Sequence, residues 1–227
     1  MAPVQKNVVV LGATGQQGGS VVQELLREPS KYHIRGLTRD TQSVKSRALA
    51  SQGVDIVQAN LDDPKSLEHA FEGAHVIYAM TDFWQSMSAD TELKQAISIA
   101  NIADDLPQLE HFVWASLPDG KALSNGKYAN IFHWQSKAAL TEYLRTQKPA
   151  LWAKTIEILF PNYFENCVTN PSVYLPMKVS SRSSLPRSRL YNTDVSYSKR
   201  MGLTCVHSAW RVRPHCQTRP FQIPASW

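Results

Sequence analysis

The sequence predicts an α/β fold, a doubly wound parallel sheet with helices on both faces. Three observations predict it. Apolar strand-like runs alternate with helix-like stretches, at short connections, up to about residue 165. The first run, "VVVLG", passes straight into a glycine-rich turn and a helix. The fourth run, His75–Met80, is continuously apolar, as a strand covered on both faces should be.

The elements follow in order. Asn7–Leu11 reads as a buried strand, and Gln17–Arg27 places Val21, Val22, Leu25 and Leu26 on one helical face, with Pro29 just beyond its end. His33–Thr38 reads as the second strand, Ser43–Ser51 as a polar helix and Val54–Gln58 as the third strand. In "DDPKSLEHAFEG", Asp63 is the expected N-cap, Pro64 sits in the first turn and Gly73 is the stop. A helix over 90–104, a strand His111–Ser116, a helix over 133–146 and a strand Thr155–Phe160 complete six β-α units. Such a chain winds into a Rossmann-type sheet. The expected organisation is a dinucleotide-binding domain over 1–170, followed by an atypical segment over 171–227.

Composition bounds the function. With 43% hydrophobic and 19% charged residues the chain reads as a globular protein with a substantial core. No apolar run approaches the ~20 residues of a membrane span, and the first residues do not form a secretory signal. Cys167, Cys205 and Cys216 are too scattered for a disulfide framework or a zinc site, so no metal and a cytoplasmic location are expected. The net charge of +5 hides an asymmetry: residues 177–227 carry nine Lys or Arg and one acid, whereas the remainder holds 15 against 18. The body is mildly acidic, which argues against a nucleic-acid groove on it. The tail, with "SSRSSLPRSR", is basic and lacks any sustained period, and is expected to be disordered or loosely docked. Its abrupt onset reads as a changed reading frame or a retained intron, with the substrate part of the fold truncated or replaced.

The glycine turn carries the first chemical signal. In "GATGQQGGS" the glycines stand as G-x-x-G-x-x-G, and no Gly-Lys-Ser/Thr ends the loop, so a nucleotide P-loop is excluded. Between a first strand and a first helix, such a turn aims backbone N–H groups and the helix dipole at one spot, suited to a pyrophosphate. The end of the second strand selects the dinucleotide. "RGLTRDTQS" offers Arg39, able to pair with a 2′-phosphate and stack on adenine, ahead of Asp40, a carboxylate that would argue for NAD and otherwise reads as a turn or capping acid. NADP(H) is the expected cofactor.

Over residues 6–170 the chain resembles the NmrA-like proteins, atypical members of the short-chain dehydrogenase/reductase superfamily. The resemblance rests on "GATGQQGGSV", "RGLTRD", "EGAHVIYAMTDFW", "ELKQAISIANIA", "HWQSKAALTEYLR" and "PNYFEN". It implies that Gly12, Ala13, Thr14, Gly15, Gln16 and Gln17 cradle the pyrophosphate. Arg39, Asp40, Thr41, Gln42 and Ser43 would surround the adenosine 2′-phosphate, with Asn60 and Leu61 flanking the adenine. Thr81, Asp82 and Phe83 would line the ribose and nicotinamide side, and Lys94 would reach in from the next helix. Lys137 would hold the nicotinamide ribose, and Tyr163, Phe164, Glu165 and Asn166 would close over the nicotinamide end. Lys94 reads equally as a solvated helix lysine, Phe83 and Trp84 as core aromatics, and Phe164 as partly core.

The Tyr-x-x-x-Lys pair of most short-chain dehydrogenases is missing: His133 stands four residues before Lys137. Tyr174 and Lys178 have the spacing, but Pro176 breaks the helix it would need. One reading is an NADP(H)-dependent oxidoreductase acting on a small carbonyl or enone metabolite. In it Lys137 is the anchor or proton donor, Ser116 polarises the substrate and His133 serves as an acid. The alternative is an NADP(H) redox sensor that regulates a protein partner such as a transcription factor.

Overall fold

The computed structural model describes residues 5–160 and 162–169, which fall into two units divided after Pro161. The first unit opens with β1 (Lys6–Val10), α1 (Gln16–Leu25), β2 (Tyr32–Thr38), α2 (Val44–Ala50) and β3 (Asp55–Gln58). It continues with α3 (Pro64–Phe71), β4 (Val76–Ala79), α4 (Phe83–Ser86), α5 (Ala89–Asp104) and β5 (His111–Ser116). It ends with α6 (Gly120–Leu123), α7 (Phe132–Gln147), α8 (Pro149–Trp152) and β6 (Thr155–Leu159). All six strands run parallel in the order β3-β2-β1-β4-β5-β6. The chain starts mid-sheet, winds out to β3, returns to β4 and winds out to β6. That reversal leaves a crevice between β1 and β4 at their carboxyl ends, where ligands of open α/β sheets bind.

Strand alternation builds the two faces. Val8, Val10, Ile34 and Tyr78 lie in one cluster with Val22 of α1 and Leu49 of α2. Val9, Leu37, Ile77, Phe112 and Trp114 lie in the other with Leu67 of α3, Ile99 of α5 and Leu140 of α7. Arg35 ties the layers together: its Nε pairs with Asp55 of β3 at 3.0 Å, and its Nη1 donates to the carbonyls of Ala70 and Glu72 at the end of α3.

Helix starts follow the sequence signals. Asp63 caps α3 by accepting from Lys65 N at 3.1 Å, with Pro64 in the first turn, and Gly73 takes φ +72° just beyond. Ser43, Asp82, Ser88 and Asp119 cap α2, α4, α5 and α6 in the same way. No side chain caps α1, α7 or α8. The short helices α4, α6 and α8 were not foreseen, since four residues are too few to show a period.

The second unit is described only over 162–169. There Asn162 Oδ1 accepts from Tyr163 N and Asn166 Nδ2, ahead of the one-turn helix α9 (Asn166–Thr169). Phe164 is 86% exposed, so the reading of it as partly core is corrected. The basic segment 171–227, with Tyr174, Lys178 and two of the cysteines, lies outside the described residues. Among the described residues no helix is long and apolar enough to cross a membrane, and no cluster of His, Cys, Asp and Glu could hold a metal ion.

Candidate functional site

At the carboxyl end of β1 the chain is pinned to both neighbouring strands. Leu11 N donates to Tyr78 O of β4 at 3.0 Å, and Ala13 N to Leu37 O of β2 at 3.3 Å. Gly12 turns between these anchors at φ +64°, and Gly15 N closes the turn on Gly12 O at 2.9 Å. A Cβ on Gly18 would stand 2.4 Å from Gly12 O and 2.6 Å from Leu11 O, so α1 can approach the strand only because that residue has no side chain. Gly15 differs. A Cβ there would meet only Gly12 O, at 3.2 Å, and otherwise open space. Protein packing therefore explains Gly18 but barely explains Gly15. Gly15 is also the N-cap of α1, whose first-turn N–H groups receive no side-chain acceptor. An open position at an uncapped helix head is what an anion would fill.

Beside this head lies a cavity of about 260 Å³ lined by Ala13, Thr14, Gly15, Gly19, Gln23 and Lys45, with Ala48 and Leu49 behind. At the end of β2, Asp40 shapes the turn: its Oδ1 accepts from Gln42 N at 2.9 Å and its carbonyl from Ser46 Oγ at 2.6 Å. Ser43 is spent on capping α2. Thr41 Oγ1 accepts from the Gln42 side chain at 3.4 Å, so both sit in the same turn. Arg39 and Lys45 are exposed, and neither cation has a partner among the described residues. Lys45 was missed by sequence reasoning, although it is the second cation after the strand in "TRDTQSVK". Asn60 Oδ1 accepts from Asp62 N at 3.1 Å in the turn before α3, and Leu61 packs against the core.

Past β4 a second constellation forms. Thr81 is buried at the strand end, Asp82 caps α4 and Phe83 is buried against Trp84, which is exposed. Lys137 of α7 donates three hydrogen bonds of 2.9 Å, to Thr81 O, Thr81 Oγ1 and Glu92 Oε1. Glu92, 1% exposed in the first turn of α5, also accepts from Thr81 Oγ1 at 2.7 Å and from Ser136 Oγ. The Lys137 ammonium further lies 5.5 Å from the Trp114 ring centre, a cation–π distance. A buried carboxylate is thus paired with a partly buried ammonium and their remaining bonds are satisfied, as burial of ions demands.

The residue of α5 that reaches Lys137 is Glu92, while Lys94 is exposed. Glu92 was overlooked, yet it heads the buried stripe Glu92, Ala96, Ile99 and Ala103. His133, one turn before Lys137, lies 5.7 Å from Phe83 and 5.2 Å from Trp84, centroid to centroid. Burial holds its pKa below the ordinary histidine value; Lys137 acts in the same direction and Glu92 in the opposite one. Ser116, buried at the end of β5, shares its hydroxyl with Thr141 Oγ1 at 3.0 Å, which in turn donates to Glu157 at 2.7 Å. Gln17 is buried in the first turn of α1. Tyr163, Glu165 and Asn166 belong to the second unit with Phe164.

The switch-point crevice, the glycine loop and the uncapped α1 define a Rossmann-type α/β protein. The profile of the NmrA-like family matches residues 4–185, and the chain belongs to that family. An NmrA-like family domain-containing protein of Dictyostelium discoideum is 29% identical over 184 residues, covering 79% of this chain and 58% of the relative. The NmrA-like oxidoreductase hkm9 of Aspergillus hancockii is 34% identical over 130 residues, 56% of this chain and 38% of that one. The chain therefore spans only part of these relatives' length.

Among solved structures, the negative transcriptional regulator NmrA superposes with a TM-score of 0.59 at 21% identity, over 69% of this chain and 45% of that one. The Citrobacter sp. triphenylmethane reductase, solved with NADP(H), gives 0.56 at 20%, over 74% and 55%. NmrA itself has been solved with NAD and with NADP.

Proposed function

We propose that this chain is an NADP(H)-dependent oxidoreductase of the NmrA type, acting on a small carbonyl or enone metabolite. The observation that carries the reading is the open Gly15 at the uncapped head of α1, with Lys45 lining the cavity beside it and Arg39 directly following β2, neither cation paired among the described residues. In this assignment residues 12–17 receive the pyrophosphate through backbone N–H groups. Arg39 and Lys45 neutralise the 2′-phosphate, and the Asp40 carboxylate, already engaged with Gln42 N, shapes the turn. Asn60 and Leu61 flank the adenine, and Thr81 to Phe83 line the nicotinamide side.

When bound, the dinucleotide supplies the hydride. Lys137 anchors the ribose by trading its bond to Thr81 Oγ1 for a ribose hydroxyl, while Glu92 and Thr81 O keep it in place. His133, held toward its neutral form, is a proton relay rather than a standing acid at neutral pH. Ser116 polarises substrate only if its bond to Thr141 is released, which makes it the weakest of the three catalytic assignments.

One observation favours a second reading, a dinucleotide sensor that regulates a protein partner. All three protons of the Lys137 ammonium are already donated within the protein, and the tyrosine position holds His133. A single experiment separates the two. NADPH oxidation is followed with a panel of ketones, enones and quinones, using the full chain and Lys137→Ala. Turnover lost by at least about tenfold in the variant supports the oxidoreductase. Tight NADPH binding without turnover on any panel member sinks it and supports the sensor.

A further inference from the structure

The Lys137 ammonium carries its own counter-charge. Its ammonium is paired with a carboxylate that is itself almost wholly buried, and both are bonded to Thr81. The neighbouring half-buried His133 ring lies beside Phe83, Trp84 and Trp134. Of the other charged groups, Asp82 is exposed and caps α4, Glu157 of β6 accepts from Thr141, one turn past Lys137, and Lys94 is exposed. A lone buried ammonium at this place would present an uncompensated positive charge; the Glu92–Lys137 pair presents nearly none.

This matters because the two redox forms of a nicotinamide dinucleotide differ by one positive charge, located on the nicotinamide ring. An unpaired Lys137 would repel the oxidised ring and leave the reduced one untouched. We propose that Glu92 is a positioning residue that neutralises Lys137 and thereby limits how strongly the chain discriminates between NADP+ and NADPH. The inference rests on the assignment of Lys137 to the nicotinamide end. Its geometry favours the role: Glu92 sits in the first turn of α5, where the helix dipole supports its charge, and Ser136 and Thr81 hold its two oxygens. The carboxylate is therefore fixed relative to both α7 and the end of β4, and it orients the ammonium as well as compensating it.

The test measures dissociation constants for NADP+ and NADPH separately, by calorimetry and nucleotide fluorescence, on the full chain. Four proteins are compared: wild type, Glu92→Gln, Lys137→Met and the double variant. Glu92→Gln is expected to weaken NADP+ relative to NADPH by about tenfold, the scale of like charges sharing a partly desolvated site. Lys137→Met, which leaves the carboxylate unpaired, is expected to shift the ratio the opposite way. The double variant, with neither charge, should return to within about threefold of the wild-type ratio, because both proteins then present no net charge from this pair.

A merely structural Glu92 would weaken both forms equally, and that result overturns the proposal. Should Glu92→Gln fail to fold, Lys137→Met against the double variant decides it by the same ratio. If both forms bind the wild type and no variant moves the ratio, the proposal falls and the cofactor assignment stands. If neither form binds the folded wild-type chain, both fall together.

Discussion

Gly15→Ala and Gly18→Ala form a pair that separates what the fold requires from what a ligand requires. At Gly18 the new methyl would sit 2.4 Å from one backbone carbonyl oxygen and 2.6 Å from another, with no flexible side chain to yield. Overpacking of that kind costs about 1–3 kcal/mol, and in a chain of this size each kcal/mol lowers Tm by roughly 2–4 °C. At Gly15 the methyl meets a single atom at 3.2 Å, and the backbone, φ −86° and ψ 179°, suits alanine. The poorer N-cap costs about 1 kcal/mol, offset by about 0.4–1 kcal/mol from the stiffer unfolded chain. Gly15→Ala should therefore melt within about 3 °C of the wild type. The same methyl projects into the space assigned to the pyrophosphate, so NADPH binding should fall at least about tenfold, or ~1.4 kcal/mol. Thermal melts and NADPH fluorescence titrations on both variants provide the assay. Gly15→Ala binding NADPH like the wild type would refute the reasoning, because the open position would then hold no phosphate.

Two further outcomes follow from the charges. Arg39→Glu should weaken NADPH binding more than NADH binding, as measured by parallel titrations; equal loss of both would remove the 2′-phosphate from this turn. Burial depresses the His133 pKa below its ordinary 6.5, so its contribution to stability is fully present above that value. It is lost as pH falls through the lower, folded-state pKa, and His133→Gln should flatten that decline in urea midpoints measured from pH 7.5 to pH 5. An unchanged decline in the variant would show that the ring is not desolvated.

The fold was legible because its signals are local. Six apolar runs, the glycine turn and caps such as Asp63 each lie within a dozen residues, whereas the strand order β3-β2-β1-β4-β5-β6 is a tertiary fact that the structure supplies. The glycine loop was legible for the same reason, as was the turn role of Asp40. The polar centre at Lys137 was not. Its partner lies 45 residues away, on a separate helix that meets α7 only through tertiary packing. Lys94 was the expected visitor from α5, but two residues rotate a helix by about 200°, so Glu92 faces α7 and Lys94 faces out. The buried stripe headed by Glu92 was visible as a pattern, and an acid in such a stripe signals a buried cation elsewhere. Lys45 escaped notice because its place beside Thr14 and Gly15 depends on how α1 and α2 lean together.

The central claim is that the glycine loop of this chain binds a 2′-phosphorylated nicotinamide dinucleotide. Calorimetric titration of the folded chain with NADPH, set beside NADH, tests it most directly. The account expects micromolar or tighter NADPH binding, about −8 kcal/mol, with NADH weaker by at least about tenfold. A folded chain that takes up no NADPH at millimolar concentration, or that binds NADH equally well, would contradict it.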